Sequence, residues 1–154
     1  MIRFVSLGPG DPELITVKGL HALQKADVIF CPATAHKSSE EVPVSFSSRA
    51  AEIVQALGIE QKHISLFHVP MSRDREAARR AYDQLAVEVC RARRKRMEVV
   101  VVAEGDAGFY SSIHYLFDKL QANQIEVELI AGVPAFIAAG ATAGLHIVKQ
   151  TERL

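Results

Sequence analysis

The sequence predicts an α/β domain: an open, mostly parallel five-stranded sheet with helices on both faces. Three observations predict it. Short apolar runs rich in β-branched residues alternate with longer segments of helical periodicity. The run at 99–103, Val-Val-Val-Val-Ala, is apolar without interruption, so it belongs at a sheet centre covered on both faces. Three glycine-containing loops, at 8–12, 104–108 and 131–135, each follow an apolar run. In an open α/β sheet such loops gather at the carboxyl ends of the strands, where ligands bind.

The elements follow in order. Residues 2–7 form the first strand, stopped by Gly8-Pro9-Gly10-Asp11-Pro12, which continues neither strand nor helix. Leu14, Val17, Leu20 and Leu23 recur at helical spacing. Residues 28–31 give a second buried strand ended by Pro32, and the polar, Ser-rich stretch 36–48, with Pro43, reads as a surface loop. Residues 50–57 return to helix, with Gly58 placed to cap it. A third strand covers 64–69 and closes at Pro70. The longest helix spans 73–94, with an apolar stripe of Ala78, Tyr82, Leu85 and Val89. After the strand at 99–103 come a helix at 111–120, a fifth strand at 127–130, and an Ala-rich helix after Pro134 that is expected to pack closely on the sheet.

At 154 residues the chain suits one domain, and 49% hydrophobic with 23% charged residues is a globular composition. Lys plus Arg and Asp plus Glu each total 18, giving no net charge to draw the chain to nucleic acid or anionic lipid. The basic run Arg91, Arg93, Arg94, Lys95 and Arg96 ends a helix, where cations oppose the negative dipole end, so it reads as a solvated terminus. Cys31 and Cys90 have no Cys-x-x-Cys spacing and read as ordinary thiols. His21, His36, His63, His68, His114 and His146 lack ligand spacing, so no metal site is expected. With no signal-peptide pattern and no run of about 18 apolar residues, the expected location is cytoplasmic, with no membrane partner.

On spacing alone the loops have two readings each. Gly8-Pro9-Gly10 is not a dinucleotide fingerprint, because Glu13 stands at the third glycine position, and no Gly-Lys-Ser/Thr follows to make a phosphate loop. It is either a tight βα turn or a binding loop. Asp11 fits a helix start as well as a ligand site, and the same holds for Asp106, though a charge just after a buried strand points more towards function.

The three loops together resemble the motifs of the tetrapyrrole methylases. Residues 5–19, VSLGPGDPELITVKG, resemble the family's opening motif. Residues 104–111, EGDAGFYS, resemble its Gly-Asp-Pro motif with a following aromatic, and 131–135, AGVPA, its Pro-Gly-x-Ser/Thr-Ser motif. Two segments are similar to the precorrin-2 C(20) branch: Phe67-His68-Val69-Pro70-Met71-Ser72-Arg73-Asp74, and Cys31-Pro32-Ala33-Thr34. The openings typical of the ribosomal RNA and diphthamide branches are absent. Two departures stand out: Ala107 replaces the usual proline, and Pro134 and Ala135 replace common hydroxyl residues.

The resemblance implies S-adenosylmethionine-dependent C-methylation of a cobalamin-pathway tetrapyrrole, with S-adenosylhomocysteine as product. It implies that Gly105, Asp106, Ala107, Phe109, Pro134 and Ala135 hold the cofactor. Gly8, Pro9, Gly10, Asp11, Pro70 and Met71 would face the tetrapyrrole, and Asp106 would take a polar catalytic role, with loop anchoring as the alternative. Family members carry a second α/β domain, with the cofactor between the two. Residues 1–146 are therefore expected to be the amino-terminal domain, and 147–154 the start of a linker to a carboxyl-terminal domain missing from this chain. The edge meeting that half is expected to be apolar and exposed, and covered in a homodimer. Three alternatives stay open: a non-catalytic domain or remnant that folds and self-associates, another precorrin or diphthine synthase-like methyltransferase, and a flavodoxin-like nucleotide or phosphate module.

Overall fold

The computed structural model of the chain describes residues 1–36, 45–70 and 73–153. Five parallel strands make the sheet: β1 (Ile2–Ser6), β2 (Val28–His36), β4 (Ile64–His68), β5 (Val99–Ala103) and β6 (Val127–Ile130), in the order β4-β2-β5-β1-β6. A sixth, β3 (Ser45–Ser47), pairs antiparallel with the far end of β2, Thr34 facing Ser47. The α/β class, the mainly parallel sheet and the two helical layers are thus as the sequence predicts.

Alternation along the strands divides the core into two layers. Phe4, Val99 and Val101 face Tyr82, Leu85 and Val89 of α3 (Arg75–Arg94) and Leu116 and Leu120 of α4 (His114–Ala122). Val5, Val100 and Val102 face Leu23 of α1 (Val17–Lys25) and Ile53 and Val54 of α2 (Arg49–Ala56). All five residues of β5 are buried, which accounts for its lack of polar alternation.

Four details differ from the sequence reading. The apolar positions from Leu14 to Leu23 do not form one helix. Asp11 caps a 3-10 turn at Pro12–Leu14, and Thr16 then caps α1 by accepting the Gly19 N–H. Strand β2 does not end at Pro32; its ladder to β5 stops at Phe30, so the missing proline N–H falls beyond it. The polar stretch after it contributes β3, a three-residue strand with no apolar alternation to announce it.

The fourth difference concerns α5 (Ala135–Ala143), which was expected to pack on the sheet. Only Gly140 is buried there, and Phe136 and Ile137 stand about half exposed. With apolar side chains all round and no polar stripe, the sequence could not show which face is covered. The helix ends at Gly144 in the left-handed region, and Gly140 packs against Ile147 of the following segment.

Candidate functional site

Strands β1 and β5 are neighbours, yet the chain leaves β1 for α1 on one face and β5 for α4 on the other. That divergence makes the crevice of an open α/β sheet. The loops there are stitched to one another. Leu7 N–H donates to the Ala103 carbonyl (2.8 Å), Gly8 N–H to Gly105 O (3.1 Å), and Gly105 N–H to Gly8 O (2.7 Å). Both glycines hold positive φ, +81° and +66°, which a side chain would oppose.

Asp106 ties the third loop to these two. Its Oδ1 accepts the Gly132 N–H at 2.8 Å and lies 3.4 Å from Ser6 Oγ, while its Oδ2 accepts the Gly108 N–H at 3.0 Å. Ser6 Oγ in turn accepts the Ala107 N–H at 2.8 Å. Gly132 must stay small: a Cβ there would sit 2.5 Å from Ser6 Cβ and 2.9 Å from Gly105 O. The amides of Gly8, Gly105, Ala107, Gly108 and Gly132 are thus engaged within and between these loops.

A cavity of about 450 Å³ opens over this junction, lined by Pro9, Arg49, Glu104, Gly105, Asp106, Phe109, Pro134, Ala135 and Phe136. Five of the six residues expected around a cofactor meet here. The sixth, Ala107, is buried and lines a separate depression beside α4. The residues expected to face a substrate do not form one surface. Pro9 lines the cavity, whereas Gly8 is buried and Asp11 accepts the Glu13 N–H as a cap. Gly10 lies close to the Arg49 guanidinium. Pro70 lines another hollow with His68, Arg80 and Glu88, and Met71 lies outside the described residues.

A second cavity, of about 440 Å³, lies at the ends of β2, β4 and β5, where the two segments similar to the precorrin-2 C(20) branch meet, although none of its lining was expected as a site residue. Pro32, Ala33, Phe67, Val69 and Tyr82 give it an apolar wall, and Thr34, Ser111 and Ser112 give it hydroxyls. The Tyr82 hydroxyl lies 2.6 Å from Ser112 Oγ, and the ring packs edge-on against Phe67. Burial raises the Tyr82 pKa, with the Ser112 hydrogen bond acting the other way, so the phenol is neutral at physiological pH. Arg49 and Glu104 line both cavities, their side chains paired at 3.5 Å. Only one signal could have marked Arg49 from the sequence: it is a cation on the first turn of a helix, where the dipole disfavours it. Among the described residues no group of three or more His, Cys, Asp or Glu side chains is placed to hold a metal ion.

Comparison with known proteins accords with this arrangement. The chain is 28% identical over 150 residues to the probable cobalt-precorrin-2 C(20)-methyltransferase of Methanocaldococcus jannaschii, covering 97% of this chain and 60% of that protein. It is 31% identical over 158 residues to the precorrin-2 C(20)-methyltransferase of Sinorhizobium sp, with the same coverage. The chain thus spans about 60% of the length of these relatives. Its fold matches the X-ray structure of a cobalamin biosynthetic enzyme, cobalt precorrin-4 methyltransferase, with a TM-score of 0.68 at 23% identity, over 96% of this chain and 52% of that one. Uroporphyrin III C-methyl transferase from Thermus thermophilus matches with a TM-score of 0.64 at 21% identity, over 97% and 54%. The sequence pattern described as Tetrapyrrole (Corrin/Porphyrin) Methylases matches residues 1–154, the same span that holds all three stitched loops, and the chain belongs to that family.

Proposed function

We propose that this chain forms the methyl-donor side of an S-adenosylmethionine-dependent methyltransferase that acts on precorrin-2 or cobalt-precorrin-2 at C-20. One observation carries the reading: the residues of the family's second and third motifs surround one cavity at the sheet's switch point. The names of the relatives from Methanocaldococcus jannaschii and Sinorhizobium sp support the choice of ring position. A cobalt-precorrin-4 C(11)-methyltransferase from the former is 30% identical, so C-11 is the competing position.

The residues present fit the donor. Phe109 and Phe136, with ring centroids 5.5 Å apart, give an apolar wall for a flat base or thioether. Glu104 and Asp106 place negative charge on the side where a sulfonium would lie. S-adenosylmethionine brings an already activated methyl, so what remains for the protein is alignment, which can lower a barrier by as much as about 7–11 kcal/mol. Gly105, Phe109, Pro134 and Ala135 provide the cavity wall, and Ala107 shapes its loop through Ser6. Asp106 is read as a positioning residue, because its carboxylate is engaged by backbone N–H groups of two loops. The proton lost from the methylated carbon passes to a carboxylate or to water. Pro9, Gly10 and the β4 end with Pro70 are the substrate side of this reading, and the cytoplasm is the compartment that goes with it.

Calorimetry with S-adenosylhomocysteine tests the proposal directly. Saturable heat is the expected result, and no heat at millimolar ligand would remove the donor site from this chain. Transfer of a labelled methyl to precorrin-2, with the labelled carbon located by NMR, separates C-20 from C-11. The exposed apolar face of α5 favours a second reading, a folded unit that associates with itself without turnover. Ligand heat without self-association would count against that one. In our reading both occur, and the chain is a homodimer.

A further inference from the structure

The two cavities share a boundary, and that boundary is charged. Arg49 and Glu104 line both, and among the described residues that line either cavity Arg49 is the one cation. The other charged groups among those described residues are Glu104 and Asp106. Without Arg49 the charged groups among the described lining residues would all be acidic, which disfavours an anion. Its guanidinium lies mostly in solvent, and its partner Glu104 is also well exposed. An exposed pair at 3.5 Å holds the side chain in place only weakly.

Folding does not explain this cation. Arg49 opens α2, directly after the cap Ser48, where the helix dipole favours acids over bases. Ser48 is itself buried; its hydroxyl donates to the Pro32 carbonyl at 2.7 Å and accepts the Ala51 N–H at 3.0 Å. The base of the arginine is therefore fixed to β2 while its head is loosely held. That combination suits a group that exchanges one carboxylate partner for another. Gly10 neighbours the guanidinium, since a Cβ at that position would stand at ordinary contact distance, 3.5 Å, from it.

We infer that Arg49 is a specificity-determining residue that receives an acidic substituent of the substrate, releasing Glu104 as it does so. The inference rests on the proposed tetrapyrrole reading, because a cobalamin-pathway tetrapyrrole carries carboxylate side chains on its rings. The apolar wall of the 440 Å³ cavity takes the edge of the ring, and Arg49 pairs with a carboxylate at the cavity mouth. A planar guanidinium can do so with two parallel hydrogen bonds, which an ammonium cannot.

The test is a spectroscopic titration of the chain with uroporphyrin, a polycarboxylate macrocycle, beside calorimetry with S-adenosylhomocysteine. Arg49→Ala should raise the porphyrin Kd about tenfold, a larger factor than any change in the S-adenosylhomocysteine Kd, which Arg49 can affect as well because it lines both cavities. Arg49→Lys should recover part of the porphyrin affinity. Glu104→Gln, which removes the competing carboxylate, should tighten porphyrin binding, and added salt should weaken it more for the native chain than for Arg49→Ala. Circular dichroism of both arginine variants should match that of the native chain, since the side chain is exposed. Equal porphyrin affinity in native and Arg49→Ala chains overturns the inference, as does absence of porphyrin binding to the native chain. If S-adenosylhomocysteine still binds in those cases, the methyltransferase reading survives; if it does not, that reading fails too.

Discussion

Asp106 is a motif residue whose carboxylate ties loops together. Its two carboxylate oxygens gather N–H groups from the loops after β5 and β6, with Ser6 of β1 alongside. Asp106→Ala leaves those donors without partners in a half-buried place, so unfolding free energy should fall by about 1–3 kcal/mol, read from the denaturant midpoint. S-adenosylhomocysteine affinity should fall with it, because the cavity wall loosens. Unchanged stability with lost affinity would instead mean that the carboxylate contacts the ligand itself. Cys31 gives a second prediction. Burial in the core layer beneath α2 pushes its thiol up to about 12 from 9.0. Between these values the unfolded thiol has lost its proton and the folded one keeps it. Stability is thus complete below pH 9.0 and falls as pH rises towards about 12, by up to about 1.4 kcal/mol per pH unit. Cys31→Ala should remove that part of the alkaline slope. At pH 8 a thiol reagent should label the half-buried Cys90 before Cys31.

At the scale of elements, legibility followed burial. Strand β5 was plain because a parallel strand covered on both faces needs unbroken apolar residues, and α3 because its stripe repeats at helical spacing. Strand β3 was hidden because three exposed residues carry no pattern, and α5 because an apolar helix gives no face to read. The site was legible to the extent that it depends on glycine. Gly105 and Gly132 announced loops that must approach closely, but which amides remained for a ligand depended on long-range pairing between β1 and β5. Arg49 and Glu104 are 55 positions apart in the sequence, and no local pattern joins them. What joins them is the docking of α2 on β2 through Ser48. Ser48→Ala removes the helix cap and leaves the Pro32 carbonyl without that hydroxyl, so it should lower stability by about 1–3 kcal/mol with an unchanged denaturant slope. It should also weaken porphyrin binding although Arg49 is intact. A stability loss without that second effect would mean that Arg49 does not depend on the anchored helix start.

For the molecule as a whole, the unbalanced feature is the apolar surface at α5 and the segment after it. Phe136, Ile137, Leu145, Ile147 and Val148 are each between 42% and 69% exposed. Ile137 and residues 144–148 line a hollow of about 550 Å³ with no Lys, Arg, Asp or Glu among the described lining residues. Isolated apolar side chains on a surface need no explanation, but a contiguous group of this kind marks a contact. A second copy is the occupant we expect. Every copy carries the same patch, a two-fold axis would set the hollow of one against the helix of the other, and zero net charge opposes approach only weakly. Light scattering should therefore give twice the 16.9 kDa chain mass at high concentration, and Ile137→Asp should return it to the monomer value with unchanged circular dichroism. Hydrogen exchange should follow the same equilibrium. The β5 amides, buried in the sheet centre, stay slow at every concentration, while the α5 amides slow down only as copies associate. Monomer mass throughout, with α5 exchanging fast at every concentration, would remove the second copy as the occupant. Slow exchange in α5 only after adding the remaining part of a longer relative would assign the face to that part instead.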